Sequence, residues 1–169
     1  VDLRAGALAT SLDPAGHTVV LADGAGLNYD KLLLATGSRS RRVPIPGADA
    51  HGVYYLRTID DASALDSALN AGAALAVVGA GWIGMEVAAS ARQRGIDVTV
   101  VESAALPLSS SLGPELGAIF ADLHREHGVD LRLGSTVAEI TTADNAATGL
   151  RLGDGSTISA AAVLVAVEI

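Results

Sequence analysis

The sequence predicts an α/β fold, a doubly wound parallel sheet carrying an antiparallel β-meander, and three observations support that reading. An apolar run, Leu75–Val78, breaks into a spaced glycine triplet, Gly79, Gly81 and Gly84, and then into a helical pattern that closes at Gly95. A second apolar run, Val98–Val101, ends on an acid, Glu102. A third, Val129–Leu133, follows another helical stretch. Strands that are almost wholly apolar, alternating with helices, belong to a parallel sheet covered on both faces. The order of strand, triplet, helix, strand and acid marks the sheet as Rossmann-like.

The elements follow in chain order. Arg4–Leu12 and His17–Ala22 read as strands joined through Asp13-Pro-Ala-Gly16, whose turn chemistry makes them a hairpin. Lys31–Ala35 reads as a compact buried strand ending at Thr36-Gly37, and Ser38–Ala50, rich in Arg, Pro and Gly, reads as a linker. A domain boundary is therefore placed at Gly47, giving segments 1–47 and 48–169. Thr58-Ile-Asp-Asp61 resembles a capping box opening a helix to about Asn70. Trp82–Arg94 forms the next helix, with Gly84, Ala88 and Ala91 allowing close approach to the sheet. Pro114 starts a third helix, whose Leu116, Ile119, Phe120 and Leu123 fall on one helical stripe. Val137–Thr141, Gly149–Leu152 and Thr157–Ala160 form the meander, and Val163–Val167 is a final buried strand.

Composition narrows the function. Nineteen acidic against eleven basic residues give a net charge of −8, which argues against non-specific nucleic-acid binding. No apolar run approaches the roughly 20 residues that span a bilayer. With no cysteine, this stretch has no disulfides, thiolate catalysis or cysteine-ligated metal, which fits a reducing cytoplasm. Val1-Asp2-Leu3-Arg4 has neither Met nor signal-peptide character, so the chain reads as a piece of a longer protein.

The site chemistry follows from residue type and spacing. In a glycine triplet of this kind the first residue permits the tight turn, the second lets backbone approach a pyrophosphate, and the third lets helix pack on strand. The unpaired N–H groups at the helix start, over Trp82 and Ile83, then hold phosphate. Glu102 lies 18 residues past Gly84, close to the offset of about 20 for an acid that accepts from a ribose 2′-hydroxyl. A carboxylate there repels a 2′-phosphate, so NADH is expected over NADPH. His124 and His127 read as surface histidines rather than metal ligands, Ser109–Ser111 as a loop, and Asp60 and Asp61 as capping acids. No catalytic acid, base or metal site is expected.

Several segments together resemble the NAD-binding part of FAD-dependent ferredoxin reductases, in the pyridine nucleotide-disulfide oxidoreductase superfamily. They are Leu34-Ala-Thr-Gly-Ser38 followed by Arg41 and Arg42, Pro44-Ile-Pro-Gly47, Tyr55-Leu-Arg-Thr-Ile-Asp-Asp61, Val77–Ser90 and Val163–Val167. The resemblance covers essentially the whole chain and makes residues 1–47 the end of an FAD-binding segment. It implies FAD contacts at Ala35, Thr36, Gly37 and Arg42, and NAD contacts at Gly79, Gly81, Trp82, Ile83, Gly84, Glu86, Glu102 and Val167, with Glu86 near the nicotinamide. The implied reaction passes hydride from NADH to FAD, then electrons to a ferredoxin-type iron–sulfur protein. A second flavin-binding glycine motif is not in this sequence, so the chain by itself is expected to be colourless and inactive. The family's strand end is Ala-Val-Gly, whereas Ala166-Val167 is followed here by Glu168, whose side chain would crowd the nicotinamide half. Rival readings are an NADH oxidase, disulfide reductase or nitrite reductase subunit of the same superfamily, and a non-catalytic NAD-binding module.

Overall fold

The computed structural model describes residues 1–167. They form two compact units, residues 1–37 and the described residues from Ser38 onward. The first is a three-stranded antiparallel sheet of β1 (Ala9–Asp13), β2 (Thr18–Leu21) and β3 (Gly26–Asn28), in spatial order β1-β2-β3. The Asp13 carboxylate accepts from the N–H groups of Ala15 and Gly16 at 3.1 and 2.9 Å, an Asx-turn that closes the first hairpin. Lys31–Ala35 is not the buried strand its composition predicts. It has no regular structure, and Leu33 and Leu34 are exposed. An apolar run becomes a buried strand only where a neighbouring strand pairs with it, and none among the described residues does so.

The second unit is built on a five-stranded parallel sheet in the order β4-β11-β5-β6-β7. Its strands are β4 (Val53–Tyr54), β5 (Leu75–Val78), β6 (Val98–Glu102), β7 (Asp130–Leu133) and β11 (Ala162–Val165). β5 and β11 are buried at every position. Alternation along β5 divides the core in two. Leu75 and Val77 pack with Leu65 and Leu69 of α1 (Ile59–Asn70) and with Met85, Ala88 and Ala91 of α2 (Trp82–Gln93). Ala76 and Val78 face the other way, onto Ile140, Ala147, Leu150 and Leu152. Those belong to a meander of β8 (Val137–Ala143), β9 (Ala146–Leu152) and β10 (Thr157–Ser159). Helices thus cover one face of the parallel sheet and the meander covers the other.

Local chemistry sets the helix ends. Thr58 and Asp61 form the expected capping box: the Asp61 N–H donates to the Thr58 hydroxyl at 3.2 Å, and the Thr58 N–H to the Asp61 carboxylate at 2.8 Å. The Thr58 N–H is the largest cause that holds the Asp61 carboxyl below its ordinary range, followed by the Thr58 hydroxyl. The span α3 (Ser109–Glu126) contains a break at Gly113, φ 78°, after which Pro114 starts the main helix. Ser109–Ser111, expected as a loop, is part of a helical turn. The buried face of α3 also differs from the predicted stripe: Gly117, Ala121 and His124 are buried, and of the stripe Phe120 packs against the core while Leu116, Ile119 and Leu123 are exposed. Gly117 explains why, since a Cβ there would lie 2.7 Å from the Pro107 carbonyl oxygen. The helix sits too close to that segment for a large residue.

The compact units divide at Gly37, where the Arg-, Pro- and Gly-rich stretch begins. Val43 and Ile45 pack on the meander-side core, and the Pro46 carbonyl accepts from the Ile140 N–H at 2.9 Å. Among the described residues no helix is long and apolar enough to cross a membrane.

Candidate functional site

The site forms where β5, β6 and β11 end together, at the carboxyl edge of the parallel sheet. This is the edge at which open α/β sheets bind ligands. After Val78 the chain turns at Gly79 with φ 102°, a conformation that L side chains rarely adopt. A Cβ on Gly79 would stand 2.8 Å from the Ala166 carbonyl oxygen, and one on Gly84 would collide with the Gly79 carbonyl oxygen. Both glycines are therefore required by close backbone approach. Gly81 is the N-cap of α2, and as a glycine it offers no side-chain bond to the helix's first N–H groups. Those donors and the positive helix end are left for an anion.

Glu102 bolts this turn to the end of β6. Its Oε2 accepts from the Ala80 N–H at 2.7 Å, and its Oε1 from the Ala104 N–H at 2.8 Å and the Ser103 hydroxyl at 3.1 Å. The Ala80 carbonyl in turn accepts from the Leu108 N–H at 3.0 Å, tying the turn to the segment before α3. Around these groups lies a cavity of about 320 Å³ whose lining includes Gly79, Gly81, Glu102, Ser103, Ser109 and Val167. A second hollow of about 200 Å³, lined in part by Val43, Ile45 and Thr136, shares Gly79, Glu102, Ser103 and Val167 with it. No Lys, Arg or His is among the described residues that line either one.

The structure gathers only some of the residues that the sequence singles out. Gly79, Gly81, Glu102 and Val167 meet at the cavity, and Gly84 lies buried beneath the turn. Trp82 and Ile83 sit on the exposed side of the first turn of α2, with Trp82 edge-on to Phe120 at 6.5 Å. Glu86 is exposed on α2 and lines neither hollow. Ala35, Thr36 and Gly37 are exposed, with Gly37 at φ 77°. The Arg42 guanidinium stacks 4.0 Å over the Tyr55 ring and lies 3.9 Å from Asp49. Glu168 lies outside the described residues.

His124 is a correction. It is buried, not on the surface, with its ring nitrogens 2.9 Å from the Phe120 carbonyl oxygen and 3.2 Å from that of Met85. Among the described residues no cluster of His, Cys, Asp or Glu could hold a metal. A third hollow of about 290 Å³, lined by Arg92, Gln93, His124 and His127 among others, lies between α2 and α3 and contains no predicted site residue. Sequence reasoning missed Ala80, Ser103 and Ala104. The first and last act through backbone N–H groups, which leave no residue-type signal. The hydroxyl of Ser103 beside the acid was readable.

Comparison with known proteins finds relatives of the chain. The profile of the family described as pyridine nucleotide-disulphide oxidoreductase matches residues 1–167. Rhodocoxin reductase of Rhodococcus erythropolis is 41% identical over 169 residues, covering 100% of this chain and 40% of its own length. The ferredoxin–NAD(+) reductase component of the Pseudomonas putida p-cumate 2,3-dioxygenase system is 41% identical over 167 residues, covering 99% and 40%. The reductase in the crystal structure of the covalent putidaredoxin reductase–putidaredoxin complex superposes with a TM-score of 0.81 at 35% identity, covering 96% and 40%. The chain thus spans about 40% of the length of these relatives.

Proposed function

The chain belongs to the pyridine nucleotide-disulphide oxidoreductase family, and from that premise we propose that it is the NADH-binding part of a flavin-dependent reductase. In that reading the whole protein takes hydride from NADH to FAD and hands electrons to a ferredoxin-type iron–sulfur protein. The observation that carries the nucleotide half is the meeting of three features at one cavity: the Gly79 turn, the open N-terminus of α2 and the Glu102 carboxylate.

Each part of the chain has a role in this reading. The Gly79–Gly81 backbone leaves room for a pyrophosphate, whose charge faces the N–H groups at the start of α2. Glu102 accepts from the adenosine ribose hydroxyls and disfavours a 2′-phosphate, which would meet a carboxylate and no basic side chain among the cavity's described residues. Val167, at the end of the cavity nearest β11, forms part of its wall. When bound, the cofactors would supply the redox chemistry, hydride from nicotinamide and single-electron delivery by flavin; this chain would bind and orient the nicotinamide nucleotide. The flavin half rests on the Ala35–Gly37 backbone. Arg42 supports the reading less directly, since its guanidinium is engaged by Tyr55 and Asp49.

The ferredoxin partner and the NADH preference are supported by the relatives' names and by the acid. Calorimetry with NADH and NADPH tests the reading. The chain is expected to bind NADH more tightly, and Glu102→Ala is expected to narrow the difference. Tighter NADPH binding by the unaltered chain would overturn it.

A further inference from the structure

The Glu102 carboxylate has a limited number of places at which to accept hydrogen bonds. An ionised carboxylate offers about four, two on each oxygen. On Oε1 both are taken, by the Ala104 N–H at 2.8 Å and the Ser103 hydroxyl at 3.1 Å. On Oε2 one is taken, by the Ala80 N–H at 2.7 Å. Counted over the described residues, a single acceptor site therefore remains. A ribose diol held through both hydroxyls, one on each oxygen, needs a site on Oε1 as well.

The three occupants differ in whether they can leave. The Ala80 N–H belongs to the buried glycine turn, and the carbonyl of the same residue accepts from the Leu108 N–H. The Ala104 N–H is likewise fixed by the main chain, because its residue's carbonyl accepts from the Gly134 N–H at 2.9 Å. The Ser103 hydroxyl is held by one rotatable bond on an exposed residue and can turn to water. It also lines both hollows that meet at Glu102.

We propose that Ser103 is a specificity-determining residue of the nucleotide site: its hydroxyl occupies the acceptor site on Glu102 that the second ribose hydroxyl requires, and must rotate away before the diol is held through both hydroxyls. The residue thus weakens the grip on a ribose diol while leaving a single-hydroxyl contact unaffected. This rests on the reading that Glu102 holds the adenosine ribose.

The test uses ADP and 2′-deoxy-ADP, titrated calorimetrically into the 169-residue chain and into Ser103→Ala, Ser103→Thr and Glu102→Ala. Ser103→Ala is expected to bind ADP about three- to tenfold more tightly, the span of one net hydrogen bond. For 2′-deoxy-ADP, whose one free hydroxyl can use the open site on Oε2, the gain is expected to be less than about twofold. Ser103→Thr, which keeps the hydroxyl, is expected to match the unaltered chain. An ADP affinity that is unchanged or weaker in Ser103→Ala, or an equal gain for both nucleotides, overturns the proposal while Glu102→Ala still lowers ADP affinity. If Glu102→Ala leaves ADP affinity unchanged, or the unaltered chain binds neither nucleotide, the reading of Glu102 falls and the proposal falls with it.

Discussion

Gly79→Ala separates what the glycine turn does for the fold from what it does for the ligand. The residue sits at φ 102°, its N–H donates to the Val101 carbonyl at 2.8 Å, and an added Cβ would meet the Ala166 carbonyl oxygen at 2.8 Å and the Val167 nitrogen at 3.2 Å. All of these are backbone atoms, so no side chain can swing aside. Holding an L-residue at such a φ costs about 1–3 kcal/mol, and forcing extra volume into a packed site about 1–3 kcal/mol more. A loss near 3 kcal/mol is expected, which for a chain of this size lowers the Tm by about 10 °C. Gly81→Ala is the counterpart. At φ −78° its backbone accepts a side chain, so the stability loss is expected to stay below about 1 kcal/mol. In the proposed function its methyl would, however, stand where a pyrophosphate approaches, so NADH affinity is expected to fall at least tenfold. Far-UV circular dichroism melts and calorimetry with NADH read the two effects. A Tm drop under about 2 °C for Gly79→Ala with NADH binding intact would refute the reasoning.

The remaining expectations concern the scaffold. Leu164→Ala, at a fully buried position of β11, is expected to cost about 2–5 kcal/mol in chemical denaturation. Ala121→Leu, on the buried face of α3, is expected to cost about 1–3 kcal/mol, while Leu123→Gln on its exposed face stays within about 0.5 kcal/mol. The reverse order would restore the stripe read from the sequence. Thr58→Ala is expected to cost about 1 kcal/mol through loss of the α1 cap. The Thr58 backbone bond is the largest cause of the depressed Asp61 carboxyl. A depressed acid stabilises at pH above its ordinary range, and that contribution fades as pH falls through the folded-state value. Denaturation curves for the unaltered chain and Asp61→Asn should therefore differ at neutral pH and converge in strong acid.

Much of the second unit was legible because its signals are local. The β5 and β6 runs, the glycine spacing, the Thr58–Asp61 box and the Pro114 start each depend on neighbours a few residues away, and the structure places each near its expected position. The failures needed distant information. Lys31–Ala35 has the apolarity of a buried strand, but burial depends on a partner that its own residues do not specify. On α3 the larger residues suggested the inner face, yet close approach to Leu106 and Pro107 leaves room only for a glycine at 117, and small Ala121 is buried as well. His124 is buried because two backbone carbonyls face its ring, and one of them belongs to another helix. At the site itself, the two N–H donors that fix Glu102 come from alanines, whose side chains reveal nothing of that role.

The place of β11 bears on how the chain reaches this structure. It lies between β4 and β5, pairing with Val53–Tyr54 on one side and Leu75–Val78 on the other, and β4 sits at the sheet's edge with β11 as its one neighbour among the described residues. Yet it is made after β6, β7 and the whole meander. A ribosome therefore releases both flanks of the gap long before the strand that fills it. Until then β4 has nothing to pair with, and β5 presents an open, wholly apolar edge of the kind that recruits foreign strands. Contacts this distant in sequence form slowly. Vectorial synthesis thus leaves an interval of exposure in which chaperone capture would compete with aggregation, and it ends only when the penultimate stretch of these 169 residues has emerged.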